Sequence, residues 1–198
     1  GEMKFEDITQ VADVAGEDRW CSGVALVDIN QDGYLDIYAS ATLLKDSVKR
    51  KNLLFVNQGT NEVGIPEFTE EAEKYGIADT GHTTQATFFD YDLDGDLDVY
   101  LLTNTIKNRL PTSYREKMTD GSAPNNDRLY RNDGGYFVNV SKEAGITIEG
   151  FGLGITVSDI NLDGWPDIYI TNDYLSNDLL YVNNQDGTFT NQVGKYLR

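Results

Sequence analysis

Short apolar runs bounded by Gly, Asn and Asp recur along this chain in a fixed order. The first kind reads GVALVDI (23–29), QATFFDY (85–91) and GITVSDI (154–160). After a polar stretch comes a second: DIYAS from Asp36, DVYLL from Asp98 and DIYIT from Asp167. A third kind spans Asn52–Gly59 (NLLFVNQG), Asp127–Gly134 (DRLYRNDG) and Asp178–Gly187 (DLLYVNNQDG). The fourth opens on an aromatic residue: FEDIT at Phe5, FTEEA at Phe68, FVNVS at Phe137 and FTNQV at Phe189. Val, Ile, Phe and Tyr dominate these runs, and β-branched and aromatic residues fit a pleated, half-buried surface. The runs predict strands, about four to each period.

Four-stranded units repeating every 50 to 70 residues suggest propeller blades. The chain reads as one all-β segment with repeats near 5–67, 68–136 and 137–188 and a leading strand at Phe5. Residues 189–198 read as the start of a further unit or a closing strand. The longest connection, Thr105 to Asn126, is locally basic and is predicted to carry a short helix near Ser113–Met118. Insertions in repeats map to surface loops.

The polar stretch between the first two strands carries the chemistry. It reads DINQDGYLD (Asp28–Asp36), DYDLDGDLD (Asp90–Asp98) and DINLDGWPD (Asp159–Asp167), all of the form D-x-[DN]-x-D-G-x-x-D. Five carboxylates in nine residues of the second copy repel one another unless something compensates them. The whole chain repeats the problem: 198 residues carry a formal net charge of −17. That balance argues against nucleic acid or an anionic membrane surface as partner and fits a protein that holds cations. With 39% hydrophobic and 11% aromatic residues the chain can build a core. No apolar stretch is long enough to span a membrane.

Calcium takes six to eight oxygens at about 2.3–2.6 Å. A nine-residue loop supplies them when positions 1, 3 and 5 lend side-chain oxygens, glycine at 6 permits the sharp turn, position 7 lends its carbonyl and position 9 closes the site. The expected ligands are Asp28, Asn30, Asp32, Tyr34 and Asp36; Asp90, Asp92, Asp94, Asp96 and Asp98; and Asp159, Asn161, Asp163, Trp165 and Asp167, for about three Ca²⁺. An EF-hand is excluded: it needs glutamate at position 12, where Ala39, Leu101 and Ile170 stand, and helices on both sides.

DINQDGYLDIY, DYDLDGDLDVY and DINLDGWPDIY resemble the calcium loops of FG-GAP/VCBS repeats, the blades of integrin-α-like β-propellers. FVNVSKEAGI and FTEEAEKYGI resemble the bacterial branch often found with ASPIC/UnbV domains. The resemblance spans nearly the whole chain. It implies that the loop joins the first two strands of a blade, that the matching Asp and Asn residues are calcium ligands, and that three blades belong to a larger, usually seven-bladed, propeller.

Other motifs carry less. GFGLG (150–154) lacks the phosphate-loop spacing and precedes a strand rather than a helix. Cys21, the single cysteine, has no CxxC or neighbouring histidine and reads as a small residue at a strand edge. Trp20, His82 and Phe151 each stand eight residues ahead of a first calcium ligand, a shared ring-bearing slot. Packing is the simpler role for it; the alternative is a ligand face of three rings at one mouth of the propeller. No nucleophile–base pair appears, so the chain reads as a non-enzyme. The expected function is a calcium-binding module for protein interaction or scaffolding outside the bacterial cytoplasm (secreted, periplasmic or at the cell surface), where calcium is near millimolar. The alternative is a carbohydrate-binding propeller or a non-catalytic part of a polysaccharide-acting enzyme. The partner is a protein or glycan, and open blade edges invite self-association.

Overall fold

The computed structural model describes residues 3–16, 18–105, 116–173 and 176–196. Among these described residues, twelve strands form three four-stranded antiparallel sheets, each a simple meander. Sheet 1 contains β1 (Cys21–Val27), β2 (Asp36–Ala41), β3 (Leu53–Thr60) and β4 (Pro66–Glu70). Sheet 2 contains β5 (Thr83–Phe89), β6 (Asp98–Thr103), β7 (Arg128–Asn132) and β8 (Phe137–Asn139). Sheet 3 contains β9 (Gly152–Ser158), β10 (Asp167–Asn172), β11 (Leu179–Asn183) and β12 (Phe189–Asn191). Two single-turn helices follow fourth strands: α1 (Ala72–Tyr75) and α2 (Val193–Tyr196). Each aspartate loop joins the first strand of a sheet to the second.

The sheets stack face to face. One core sets Val27, Tyr38, Leu54 and Val56 of sheet 1 against Val99, Leu101 and Tyr130 of sheet 2. The next sets Phe89, Tyr100, Leu102 and Leu129 of sheet 2 against Ile168, Ile170 and Tyr181. Alternation along β6 therefore serves two cores: Val99 and Leu101 point one way, Tyr100 and Leu102 the other, and all six β6 residues are buried. The first strands lie side by side, β5 between β1 and β9. Gly23 makes the closest approach possible, because a Cβ there would stand 2.5 Å from the carbonyl oxygen of Thr84.

Several sequence expectations shift. The phenylalanine-led runs are the fourth strands of the sheets before them, so sheets span 21–70, 83–139 and 152–191 and the repeat phase moves by one strand. Residues 189–191 accordingly close sheet 3. The leading strand at Phe5 is not formed: no described strand pairs with residues 3–8. The ends of the stack are sheet faces rather than strand edges, since stacking, not edge pairing, joins one sheet to the next. The helix expected near 113–118 lies mostly outside the described residues, and 116–118 are not helical. No helix among the described residues is long and apolar enough to cross a membrane.

Candidate metal centres

The three aspartate loops share one backbone design. The fourth residue of each (Gln31, Leu93, Leu162) and the sixth (Gly33, Gly95, Gly164) adopt positive φ, between +58° and +99°. Two left-handed residues with one residue between them fold the chain tightly around positions 1 to 5. Side-chain oxygens then hold the turn. Asp28 Oδ1 accepts from Asp32 N (3.0 Å) and Oδ2 from Gly33 N (2.9 Å). Asp90 does the same for Asp94 N (3.1 Å) and Gly95 N (3.0 Å), and Asp159 for Asp163 N (3.0 Å) and Gly164 N (2.8 Å). The fifth-position carboxylate accepts from the seventh N–H in each loop: Asp32 from Tyr34 (2.8 Å), Asp94 from Asp96 (2.9 Å) and Asp163 from Trp165 (2.9 Å).

The ninth residue is anchored more deeply. Asp36, Asp98 and Asp167 are fully buried. Each accepts from the N–H of the loop's second residue, at 2.9, 3.0 and 3.0 Å from Ile29, Tyr91 and Ile160. Each also accepts from an asparagine N–H at the end of the third strand or within it: Asn57 (2.7 Å), Asn132 (2.8 Å) and Asn183 (2.8 Å). These asparagines were not singled out from sequence as site residues, although an Asn before the Gly turn in all three copies was the available signal. Backbone donors fix each buried carboxylate in place and offset part of the cost of its burial.

Position 3 separates the loops. Asn30 and Asn161 donate Nδ2 to Asp32 Oδ2 (2.8 Å) and Asp163 Oδ2 (2.9 Å), so a neutral amide bridges the cluster. Asp92 has no such proton to give. Carboxylate oxygens of Asp90, Asp92 and Asp98 lie within 4.8 Å of one another. Asp92 Oδ1 is buried without a hydrogen-bond partner among the described residues. Burial, then the Asp94 and Asp90 charges, raises the Asp92 carboxyl. Burial pushes Asp98 up to about 7, against the opposing N–H groups of Asn132 and Tyr91, with the Asp92 and Asp94 charges adding to the rise. Burial also raises Asp36, opposed by Asn57 N and Ile29 N. Convergent hard oxygens, one of them bare, suit Ca²⁺ or Mg²⁺ and offer nothing to a soft metal.

Position 7 varies as the loop design allows. Tyr34 is exposed, Asp96 meets Gln31 Nε2 at 3.3 Å, and Trp165 turns into a cleft of about 610 Å³. That cleft runs between loops 2 and 3 and is lined by Tyr91, Asp92, Arg131, Glu143 and Asp186 as well. The ring-bearing slot is one backbone position in all three sheets: the carbonyls of Trp20, His82 and Phe151 accept from Thr42 N (2.9 Å), Asn104 N (3.0 Å) and Asp173 N (2.9 Å). Its side chains differ. Trp20 is 58% exposed, whereas His82 and Phe151 are 6% and 4% exposed, so the three rings present no common face to a ligand. Cys21 is the exposed first residue of β1.

A second repeated feature lies beyond the loops. Tyr38 accepts from Asn52 Nδ2 (2.9 Å), while Tyr100 donates to Asp127 (3.0 Å) and Tyr169 to Asp178 (2.7 Å). Each tyrosine sits two residues past the ninth aspartate and ties the second strand to the start of the third. Asp127 is buried, and burial pushes its carboxyl up to about 6 despite bonds from Thr103 and Tyr100. A scan against protein-family models finds no match, and a search of curated proteins finds no significant relative.

Proposed function

We propose that the chain is a calcium-binding module of the β-propeller type that serves protein interaction or scaffolding outside the cytoplasm. The observation that carries this reading is loop 2, where three carboxylates converge and one buried oxygen is left without a donor. Loops 1 and 3 repeat its backbone and its first, fifth and ninth aspartates. Asp28, Asn30, Asp32 and Asp36 hold the first ion; Asp90, Asp92, Asp94 and Asp98 the second; Asp159, Asn161, Asp163 and Asp167 the third. The seventh residues contribute carbonyls. Meander sheets stacked with their first strands adjacent support the propeller reading. Sites built for extracellular calcium bind in the range of about 0.1 to 1 mM, which matches an extracytoplasmic setting.

Elemental analysis after dialysis against calcium, together with calorimetric titration, tests the proposal. Three ions per chain are expected. A chain that takes up no calcium, and whose melting midpoint ignores EGTA, overturns it. A second reading, carbohydrate binding, draws on the cleft that Trp165 lines together with Tyr91, Arg131, Glu143 and Asp186. Aromatic faces and carboxylates together suit a sugar. A glycan array probed with and without EGTA checks it, and binding lost in Trp165→Ala locates it.

A further inference from the structure

Sheet 2 departs from its two relatives at four positions around loop 2. The loop's second residue is Tyr91 where loops 1 and 3 have Ile29 and Ile160, and its third is Asp92 where they have Asn30 and Asn161. The other two differences lie on and just beyond the third strand. Phe55, Tyr130 and Tyr181 share one register position, opposite Ile37, Val99 and Ile168. Next come Val56, Arg131 and Val182, paired with Thr69, Val138 and Thr190 of the fourth strands. Two residues further on stand Gln58, Asp133 and Asn184. Val56 and Val182 are buried, so Arg131 brings a charge to a position that two sheets fill with a core valine.

The four residues form one constellation. Tyr91, Asp92 and Arg131 line the same cleft, and Arg131 is the only Lys or Arg among the described residues that line it. Arg131 forks onto Asp133, with Nε donating to Oδ1 (2.7 Å) and Nη2 to Oδ2 (3.1 Å), which restrains the guanidinium. It also bonds the Tyr91 hydroxyl. In loops 1 and 3 the third residue is an amide that donates to the fifth carboxylate. Loop 2 has a carboxylate there instead. At positions 1, 3, 5 and 9 loops 1 and 3 thus have three carboxylates and loop 2 has four. Burial, then the Asp94 and Asp90 charges, raise the Asp92 carboxyl, and the Arg131 charge opposes them. Burial pushes the Tyr91 hydroxyl up to about 12, with the Asp92 and Asp98 charges adding to the rise, and Arg131 opposes it there as well.

We infer that Arg131 is the resident counter-cation of loop 2: it balances the carboxylate that Asp92 adds and holds the loop's affinity for a divalent ion below what four carboxylates would give. Ligand charge count tunes calcium affinity, and a fixed positive charge beside the loop acts against that count. Loops 1 and 3, with one carboxylate fewer, have valine at the same strand position. The Arg131 side chain is 40% exposed, so its effect is partly screened and depends on salt. The affinity arm rests on the calcium reading above; the balance between Arg131 and Asp92 does not.

The test uses residues that the other two repeats already carry, Arg131→Val and Asp92→Asn. In EGTA at low salt, Arg131→Val is expected to lower the melting midpoint by about 2 to 4 °C. In an Asp92→Asn background the same change should lower it by less than about 1 °C, because the charge it balances is gone. With calcium, Arg131→Val should tighten one of the three binding phases by about threefold or more at low salt. That gain should shrink in about 1 M salt. Arg131→Lys keeps the positive charge and should hold the original affinity within about twofold. Equal midpoint losses with and without Asp92 make Arg131 a packing residue and overturn the inference. Unchanged or weaker calcium binding in Arg131→Val overturns it too. A chain that takes up no calcium, while the two losses stay coupled, defeats the calcium reading and leaves Arg131 as the counter-charge of Asp92.

Discussion

At the scale of single residues, the loops separate ligands from spacers. Asp94 accepts from Asp96 N and is one of the proposed ligands, whereas the Asp96 side chain reaches outward to Gln31. Asp94→Ala is expected to weaken calcium binding at loop 2 by about tenfold or more, roughly 1.4 kcal/mol. Asp96→Ala should change it by about threefold at most, and calorimetric titration of the two variants compares them. Equal losses would reassign the fifth and seventh positions. Proton linkage gives a second residue-level test. Asp98 titrates near 7 when metal-free and near the ordinary carboxylate value when unfolded, so the folded chain holds the extra proton between about pH 4 and 7. Stability contributed by the protonated group is therefore present at low pH and lost as pH rises through about 7. In EGTA the melting midpoint should fall from pH 5 to pH 8, and Asp98→Asn should flatten that fall. Under the proposed function calcium would replace the proton, so its stabilising effect should grow over the same interval. A midpoint in EGTA that rises steadily from pH 5 to 8 contradicts this account of the ninth position.

At the scale of elements, close contact between first strands is the constraint most exposed to a single change. Ser22 Oγ donates to Thr83 O (3.0 Å), and Gly23 lies against the β5 backbone. In Gly23→Ala the new Cβ meets a carbonyl oxygen, which cannot swing aside as a side chain would. We expect a loss of about 2 to 3 kcal/mol, read as a lower denaturation midpoint, while Gly194→Ala, which meets nothing, serves as the control. Such a contact was not legible in the sequence, because it depends on which strands become neighbours. The strands themselves were legible, since period, β-branched content and Gly/Asn boundaries agreed in every copy. So was the loop design, because Asp, Asn and Gly at fixed spacing leave few alternatives. The phase of the repeat was not. A phenylalanine-led run looks the same whether it opens one sheet or closes another, and only the pairing of Phe68, Phe137 and Phe189 with the strand before them decides it. The ring-bearing slot shows the same limit. Spacing identified a common backbone position, but burial of His82 and Phe151, with Trp20 exposed, follows from which sheets have neighbours.

At the scale of the whole molecule, the loops are joined to one another across sheets. Gln31 of loop 1 donates to Gly95 O (3.4 Å) and to Asp96 (3.3 Å) of loop 2. The stronger link is Asn183, buried at the end of β11. Its N–H holds Asp167 of loop 3 (2.8 Å), and its Nδ2 reaches Tyr91 O of loop 2 (2.8 Å) and Pro166 O (3.3 Å). Its Oδ1 accepts from Gln185 N (2.9 Å), ordering the turn that lines the Trp165 cleft. One side chain thus connects two of the loops and the cleft between them. The corresponding Asn57 and Asn132 donate to Leu35 O and Leu97 O within their own sheets. Asn183→Ala keeps the N–H on Asp167 but strips Tyr91 O of a buried donor, and should cost about 2 to 3 kcal/mol. The informative readout is calcium affinity at loop 2, none of whose residues is altered. If sheet stacking transmits the state of one loop to the next, that affinity falls with Asn183→Ala, and Asn57→Ala leaves it unchanged. Titrations in which Asn183→Ala lowers stability but leaves loop 2 at its original affinity would make the three loops independent, each set by its own nine residues alone.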